Sequence, residues 1–370
     1  RLREQMHGQW MGLNFGRNSG FVTLDLDDCT DYYEGRFTLV EDDHANPGTV
    51  GRIVTTGLSL PSALEVDVFP FDPRLGRVLG KEEFSKIYPD HSFPRRTTVH
   101  FEFEGNRLQA QWFSDAGTDG SMMLTRANSA RKSIIPGDPS IQSWDDFKKL
   151  AFCYEPNSRI FRGQAAPWPL RTAFHRTRRS DLIPFVSKDI PLLYQRLSSR
   201  VRHIYDFSNP VHNASFWNLL QHHGYPTPLL DWTYSPFVAA YFAFADENVG
   251  SESDFVRIYA FEKDQWEDDF SQNMYISHTW PHFSILEPMS FENERAIPQQ
   301  SVLSATNVDD IEWYITTHQQ QTNNEYLVAF DIPKTERADV MNDLRLMGIT
   351  AGSLFPSIDG VCREIKARMF

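Results

Sequence analysis

Cysteine is scarce. The 370 residues contain three, Cys29, Cys153 and Cys362, an odd number, far apart and with no C-x-x-C pair. No disulfide framework or cysteine-based zinc site is expected, and a reducing, cytoplasmic setting is the simplest fit. Positive charge is also in deficit: 36 Lys and Arg against 49 Asp and Glu give a formal net charge of -13. A general nucleic-acid binder needs a basic surface to neutralise phosphates, so that class is disfavoured, while a local basic pocket is not. No apolar run approaches the length of a membrane span, and RLREQMHGQW is not a signal peptide, so no membrane partner is expected. Walker A, GxGxxG, HExxH and GxSxG motifs are all missing.

What the chain has in abundance is aromatic side chains. With 28 Phe, large buried rings carry much of the core, and the length allows two domains. Residues 1–126 read as short strands separated by turns. GFVTLDLD (20–27) alternates, with Phe21, Thr23, Asp25 and Asp27 on one side and Val22, Leu24 and Leu26 on the other. Similar stretches follow at 35–40, 51–56, 64–69, 97–104, 107–113 and 121–125, with Glu104-Gly105-Asn106 as a hairpin turn. Some seven strands at near-regular spacing predict an antiparallel β-barrel or sandwich. Trp10, Gly12, Gly16 and Trp112 are placed to seal it. Such a barrel either recognises a protein target or is filled by its own side chains. Residues 127–140, ANSARKSIIPGDPS, have the composition of a linker.

Residues 141–370 mix helices and strands without βαβ repetition, which predicts α+β. Ser143 caps a helix over 144–152. IFRGQ (160–164) is a strand end carrying an arginine before a glycine, suited either to hold an anion or to pair with a structural acid. Residues 168–179 concentrate Trp168, Arg171, His175, Arg176, Arg178 and Arg179, as a solvated face or the wall of a phosphate pocket. Helices are expected over 182–207 and 211–223, an irregular segment over 265–279, strands over 255–261 and 326–332, and helices over 335–347 and towards 370.

The stretch QHHGYPTPLLDWTYSPFVAAYFAF (221–244) organises this half. Gly224 ends a helix, Pro226 and Pro228 forbid one, Leu229-Leu230 begin a strand, and Ser235-Pro236 open a second helix. Asp231 and Thr233 lie at a strand end beside a helix N-terminus, a place that attracts phosphates or carboxylates. The plainer alternative makes Asp231 a turn residue and Trp232 core. A metal site of His222, His223 and Asp231 is disfavoured, because adjacent helical side chains diverge by about 100°.

Taken in order, Phe161-Arg162-Gly163-Gln164, Trp168-x-Leu170, Arg176, residues 221–244, Arg295 to Gln300 and GITAGSLFPSIDG (348–360) resemble the FRG domain, over about residues 141–370. The resemblance implies a bacterial or phage protein, and the company such domains keep implies a toxin or phage-defence effector. A more distant similarity runs to ADP-ribosyltransferases and their fold. It places Arg162 where an arginine or histidine holds NAD. It places the step Asp231 to Pro236 where a Ser-Thr-Ser step lies, and Gln299 to Leu303 at the late strand. The expected glutamate is missing there. Loss of one such preorganised group weakens transfer chemistry by roughly 10²–10³.

NAD is therefore the implied cofactor or substrate, with no metal. Arg162, Asp231, Glu294 and Gln300 are the implied catalytic residues. Arg162, Gly163, Gln164, Tyr225, Asp231, Trp232, Thr233 and Tyr241 are the implied binding residues, the aromatic ones stacking on a ring. The implied activity is ADP-ribosyl transfer or NAD cleavage. The alternative is a non-catalytic nucleotide-sensing or protein-interaction module.

Overall fold

The structure is a computed structural model describing residues 6–16, 19–43, 45–58, 62–128, 131–245 and 252–369. The first region contains β1 (Gly8–Gly16), β2 (Gly20–Asp28), β3 (Tyr33–Glu41), β4 (Gly48–Val54), β5 (Ala63–Asp72), β6 (Arg77–Val78), helix α1 (Lys81–Ile87), β7 (Arg96–Glu104), β8 (Arg107–Ser114) and β9 (Asp119–Arg126). Strands β1, β2, β3, β4, β5, β7, β8 and β9 each pair antiparallel with the next, and β9 returns to β1. The result is a closed eight-stranded barrel, which resolves the choice between barrel and sandwich. Closure leaves no unpaired edge, and the two-residue β6 only hangs on β5.

The alternation in β2 works as the pattern predicts. Val22, Leu24 and Leu26 point into the barrel core with Trp10, Ile53, Val99 and Leu124. Asp25 and Asp27 point outward, but not into water. They meet the second region.

That region is built on a six-stranded antiparallel sheet in the order β13-β14-β11-β10-β12-β15. Its strands are β10 (Arg159–Gln164), β11 (Leu229–Thr233), β12 (Phe255–Glu262), β13 (Phe283–Leu286), β14 (Ser301–Thr306) and β15 (Leu327–Pro333). Among the described residues, ten helices surround it: α2 (Trp144–Ala151), α3 (Leu182–Pro184), α4 (Ile190–Leu197), α5 (Pro210–His222), α6 (Pro236–Phe244), α7 (Lys263–Asp269), α8 (Ile311–Thr322), α9 (Arg337–Leu346), α10 (Ala351–Leu354) and α11 (Ile358–Met369). One face of the sheet packs Ile258 and Ala260 under α6, with α2 and α9 alongside. The other packs Trp232 and Phe261 against Trp266, Ile311 and Ile315. The architecture is thus a β-barrel followed by an α+β region.

Two local expectations need correction. The helix expected over 182–207 is broken: α3 gives way to a π-helical turn (Phe185–Asp189), α4 ends at Leu197, and residues 198–207 are not helical. Pro184 and Pro191 remove backbone donors in that run. The segment 265–279 is not wholly irregular, because α7 forms around buried Trp266, whose Nε1 donates to the Phe283 carbonyl at 2.9 Å. In the expected linker, residues 129–130 lie outside the described residues. Residues 131–140 run along the α+β region, with Ile135 in its core, and Ser133 Oγ and the Ile134 N–H donate to Glu312 at 2.8 Å each.

Barrel and α+β region dock through buried polar contacts. Asp27 accepts the backbone N–H groups of Ser180 and Asp181 at 2.5 and 2.8 Å. Asp25 accepts from Gln9 Nε2 at 3.0 Å and from Ser180 Oγ at 2.9 Å. Arg36 pairs with Asp181, and Gln9 reaches Asn307 and Asp309. The cation-rich stretch 168–179 serves this junction and its surroundings. Arg171 makes a two-pronged pair with Asp309 at 2.6 and 3.1 Å, and Arg179 pairs with Asp189 and sits 3.7 Å from Asp27.

Candidate functional site

The sheet of the α+β region nearly comes apart at its centre. Strands β10 and β11 share a single register pair, Phe161 opposite Thr233, whereas β10 pairs with β12 along six residues. Beyond that point the two strands diverge, and a cleft of about 380 Å³ opens beside them. Backbone groups released where pairing lapses need other partners. One of them, the Asp231 carbonyl, accepts from Arg162 Nη1 at 2.6 Å.

Arg162 occupies the divergence. Its buried Nε has no hydrogen-bond partner among the described residues, and its guanidinium has no ion-pair partner there. Burial pushes its pKa below the ordinary range, with the nearby Asp231 carboxylate acting in the opposite direction. An arginine keeps its charge regardless. Arg295 enters the same cleft. Its guanidinium lies 5.1 Å from the Phe355 ring centroid, a cation–π contact, and it too lacks a carboxylate partner among the described residues. His222, at the end of α5, also lines the cleft. Its pKa is lowered by burial first and by Arg295 and His223 next. Asp231 supplies an exposed carboxylate, while Asn218, Gln221, Thr233, Gln299 and Ser301 supply neutral polar groups.

Several of the expected residues meet here and several do not. Arg162, Gly163, Asp231, Trp232 and Thr233 line the cleft. Gly163 has a packing role: a β-carbon there would overlap the Ala239 carbonyl and lie 2.8 Å from the Ala243 nitrogen, so only glycine lets α6 lie so close on β10. The Trp232 indole is turned into the core, donating to Ser304 Oγ at 2.9 Å. Thr233 Oγ1 donates to the Gln299 carbonyl at 2.7 Å and accepts from the Ser235 N–H at 3.0 Å, so it braces the turn into α6.

Gln164 points away and donates to the Trp168 carbonyl at 2.8 Å. Tyr225 stacks on Phe185 and donates to Asp189 at 3.1 Å. Tyr241, on α6, is buried in the core. Glu294 is exposed and Gln300 has a left-handed φ of 47°; their neighbours Arg295 and Gln299 line the cleft instead. Sequence reasoning missed Asn218, Arg295, Gln299 and Phe355 as site residues. Asn218 and His222 lie four residues apart on α5, and Arg295 and Gln299 lie four apart in a turn closed by a 3.1 Å hydrogen bond. That spacing was the available signal. Among the described residues, no group of three or more His, Cys, Asp or Glu is arranged to hold a metal ion, and no helix is long and apolar enough to cross a membrane.

A barrel docked on an α+β unit with an arginine-lined split sheet is the class that this geometry defines. The FRG domain family model matches residues 157–252, a stretch that holds β10, α3, α4, α5, β11 and α6. No curated protein matches the chain. Two solved structures are similar. One is a de novo designed fluorescence-activating β-barrel, 13% identical, covering 34% of this chain and 95% of its own, with a TM-score of 0.23. The other is a redesigned β-barrel bound to DFHBI, 9% identical, covering 34% and 99%, also with a TM-score of 0.23.

Proposed function

We infer that the cleft binds a dinucleotide of the NAD class and that the protein cleaves it at the ribose–nicotinamide bond, by transfer or hydrolysis. One observation carries this reading: among the described residues, two arginines without carboxylate partners line one cleft, and one of them has a buried donor with no acceptor there. Cations so placed await an anion, and a diphosphate fits the forked geometry of guanidinium. The Asp231 carboxylate lines the same cleft, near enough to Arg162 to act on its charge, and a carboxylate there accepts ribose hydroxyls. In the reaction the C1′–N bond breaks and its electron pair leaves with nicotinamide. The Asp231 carboxylate stabilises the positive charge developing on the ribose, and water or an acceptor nucleophile adds to C1′.

A second reading has its own support. Asp231 is the single carboxylate lining the cleft among the described residues, and Glu294 stands outside it. Binding without cleavage, as in a nucleotide sensor, needs no more than that. Incubation of the purified protein with NAD, with nicotinamide release followed by chromatography, separates the two. Enzyme action predicts release that falls roughly 10²-fold in Asp231→Asn and vanishes in Arg162→Ala. Saturable binding without release identifies a sensor. If folded Arg162→Ala binds NAD as well as the parent, both readings are wrong. In cells, an NAD-consuming effector depletes the NAD pool on overexpression and a sensor does not.

A further inference from the structure

Phe242 is out of keeping with its helix. Every other residue of α6 from Val238 to Phe244 is buried, yet Phe242 is 38% exposed. A ring left at the surface of an otherwise buried helix keeps apolar area in water. It lines the cleft, and so does Phe355, half-buried at the end of α10. The two rings stand edge to face, with centroids 6.1 Å apart and planes at 83°. Together they make a corner in the cleft wall.

Phe355 is held in place from several sides. Its N–H donates to the Ala351 carbonyl at 3.0 Å, and its carbonyl accepts from the Ser357 N–H at 2.7 Å. A β-carbon at Gly360 would lie 2.9 Å from the Phe355 β-carbon, so the first turn of α11 packs directly on it. Gln299 Nε2 donates to the Leu354 carbonyl at 3.0 Å, which ties this segment to the turn that carries Arg295. A ring fixed before the ligand arrives costs little further ordering on binding. Two guanidinium groups attend it: those of Arg295 and Arg363 each lie 5.1 Å from its centroid. Glu364, next to Arg363, accepts from Thr350 Oγ1 at 2.7 Å and from the Gly352 N–H at 3.0 Å.

We propose that the corner of Phe242 and Phe355 binds the adenine base of the dinucleotide. This subsite rests on the reading above, in which the cleft holds NAD. The arginines mark two pairings, Arg162 with the Asp231 backbone and Arg295 with the Phe355 ring. With the reacting ribose at Asp231 and the diphosphate at the arginines, the ring that remains for Phe355 is the one at the far end of the dinucleotide, adenine. Bases pack on aromatic rings and on guanidinium planes alike. Adenine is neutral, whereas the nicotinamide ring of NAD is a cation, which Arg295 and Arg363 repel.

The test is calorimetric titration of the full chain with ADP-ribose, which keeps adenine and lacks nicotinamide, and with nicotinamide mononucleotide, which keeps nicotinamide and lacks adenine. Phe242→Leu weakens ADP-ribose binding by about tenfold and nicotinamide mononucleotide by less than about twofold. Phe355→Leu does the same, and thermal unfolding shows that both variants are folded. Arg162→Ala weakens both ligands. Unchanged ADP-ribose affinity in both folded phenylalanine variants overturns the subsite and leaves the nucleotide reading standing. A loss that falls on nicotinamide mononucleotide instead overturns the adenine assignment. A parent that binds neither ligand overturns the nucleotide reading and the subsite with it.

Discussion

The barrel interior and the cleft beside Arg162 are of similar size, about 450 and about 380 Å³, but they arise in opposite ways. The barrel space exists because every strand finds a partner. With backbone groups satisfied in the ladder, the inward side chains are free to be apolar. The cleft exists because one pairing fails, β10 with β11, and the Asp231 carbonyl released there is answered by Arg162. A closed sheet makes an oily hole and a split sheet makes a charged one. The two regions of this chain illustrate both.

The most severe way to break the comparison is Gly163→Ala. The added methyl meets α6 backbone, which cannot rotate away, and the cost is about 3 kcal/mol or more by the usual penalty for overpacking. Urea unfolding should show the α+β region destabilised. Next comes Arg162→Ala, with a loss of dinucleotide affinity worth about 2–3 kcal/mol for charge-assisted hydrogen bonds, read by calorimetry. Arg162→Lys should recover only part of it, because an ammonium cannot reproduce the fork.

The junction between the regions gives a pH dependence. Burial pushes the Asp27 pKa up from 3.8 to about 6, and burial likewise raises Asp25 and Asp181. A carboxyl whose pKa is raised by folding binds more protons in the folded state, so its contribution to stability grows as pH falls through 6 and levels off below 3.8. The parent should therefore gain about 1 kcal/mol relative to Asp27→Asn between pH 7 and pH 5, as measured by denaturant midpoints. The smallest effect expected is that of Ser235→Ala. It removes the acceptor for the Val238 N–H at 3.2 Å at the start of α6, for about 1 kcal/mol, with the barrel untouched.

How much of this was legible beforehand follows from the range of the interactions. Ser235-Pro236 and Gly224 act on their own neighbours, and both the cap and the left-handed φ of 83° are where the local pattern puts them. The β2 alternation separated the two faces that the barrel keeps apart. It did not show that Asp25 and Asp27 face a second region, because an outward residue looks the same against water and against a docked partner. Arg162 and Asp231 were recognised as a pair through the family pattern. Gln164 came with the family pattern, and Tyr225 and Tyr241 were chosen as aromatic rings; Gln164 turns to the Trp168 carbonyl, Tyr225 to Asp189, and Tyr241 into the core. Glu294 and Gln300 missed the cleft by one residue each, since a tight turn gives adjacent side chains different directions. Arg295 and Phe355 reach the cleft from distant parts of the chain, and no local pattern encodes that meeting.

The most direct test of the arginine cleft compares NAD with nicotinamide riboside, which lacks the phosphates, by calorimetric titration of the parent and of an Arg162→Ala/Arg295→Ala variant. The account predicts that the parent prefers NAD by about 10²-fold or more and that the preference collapses in the variant. Equal affinity for the two ligands in the parent, or an undiminished preference in a folded variant, would contradict it.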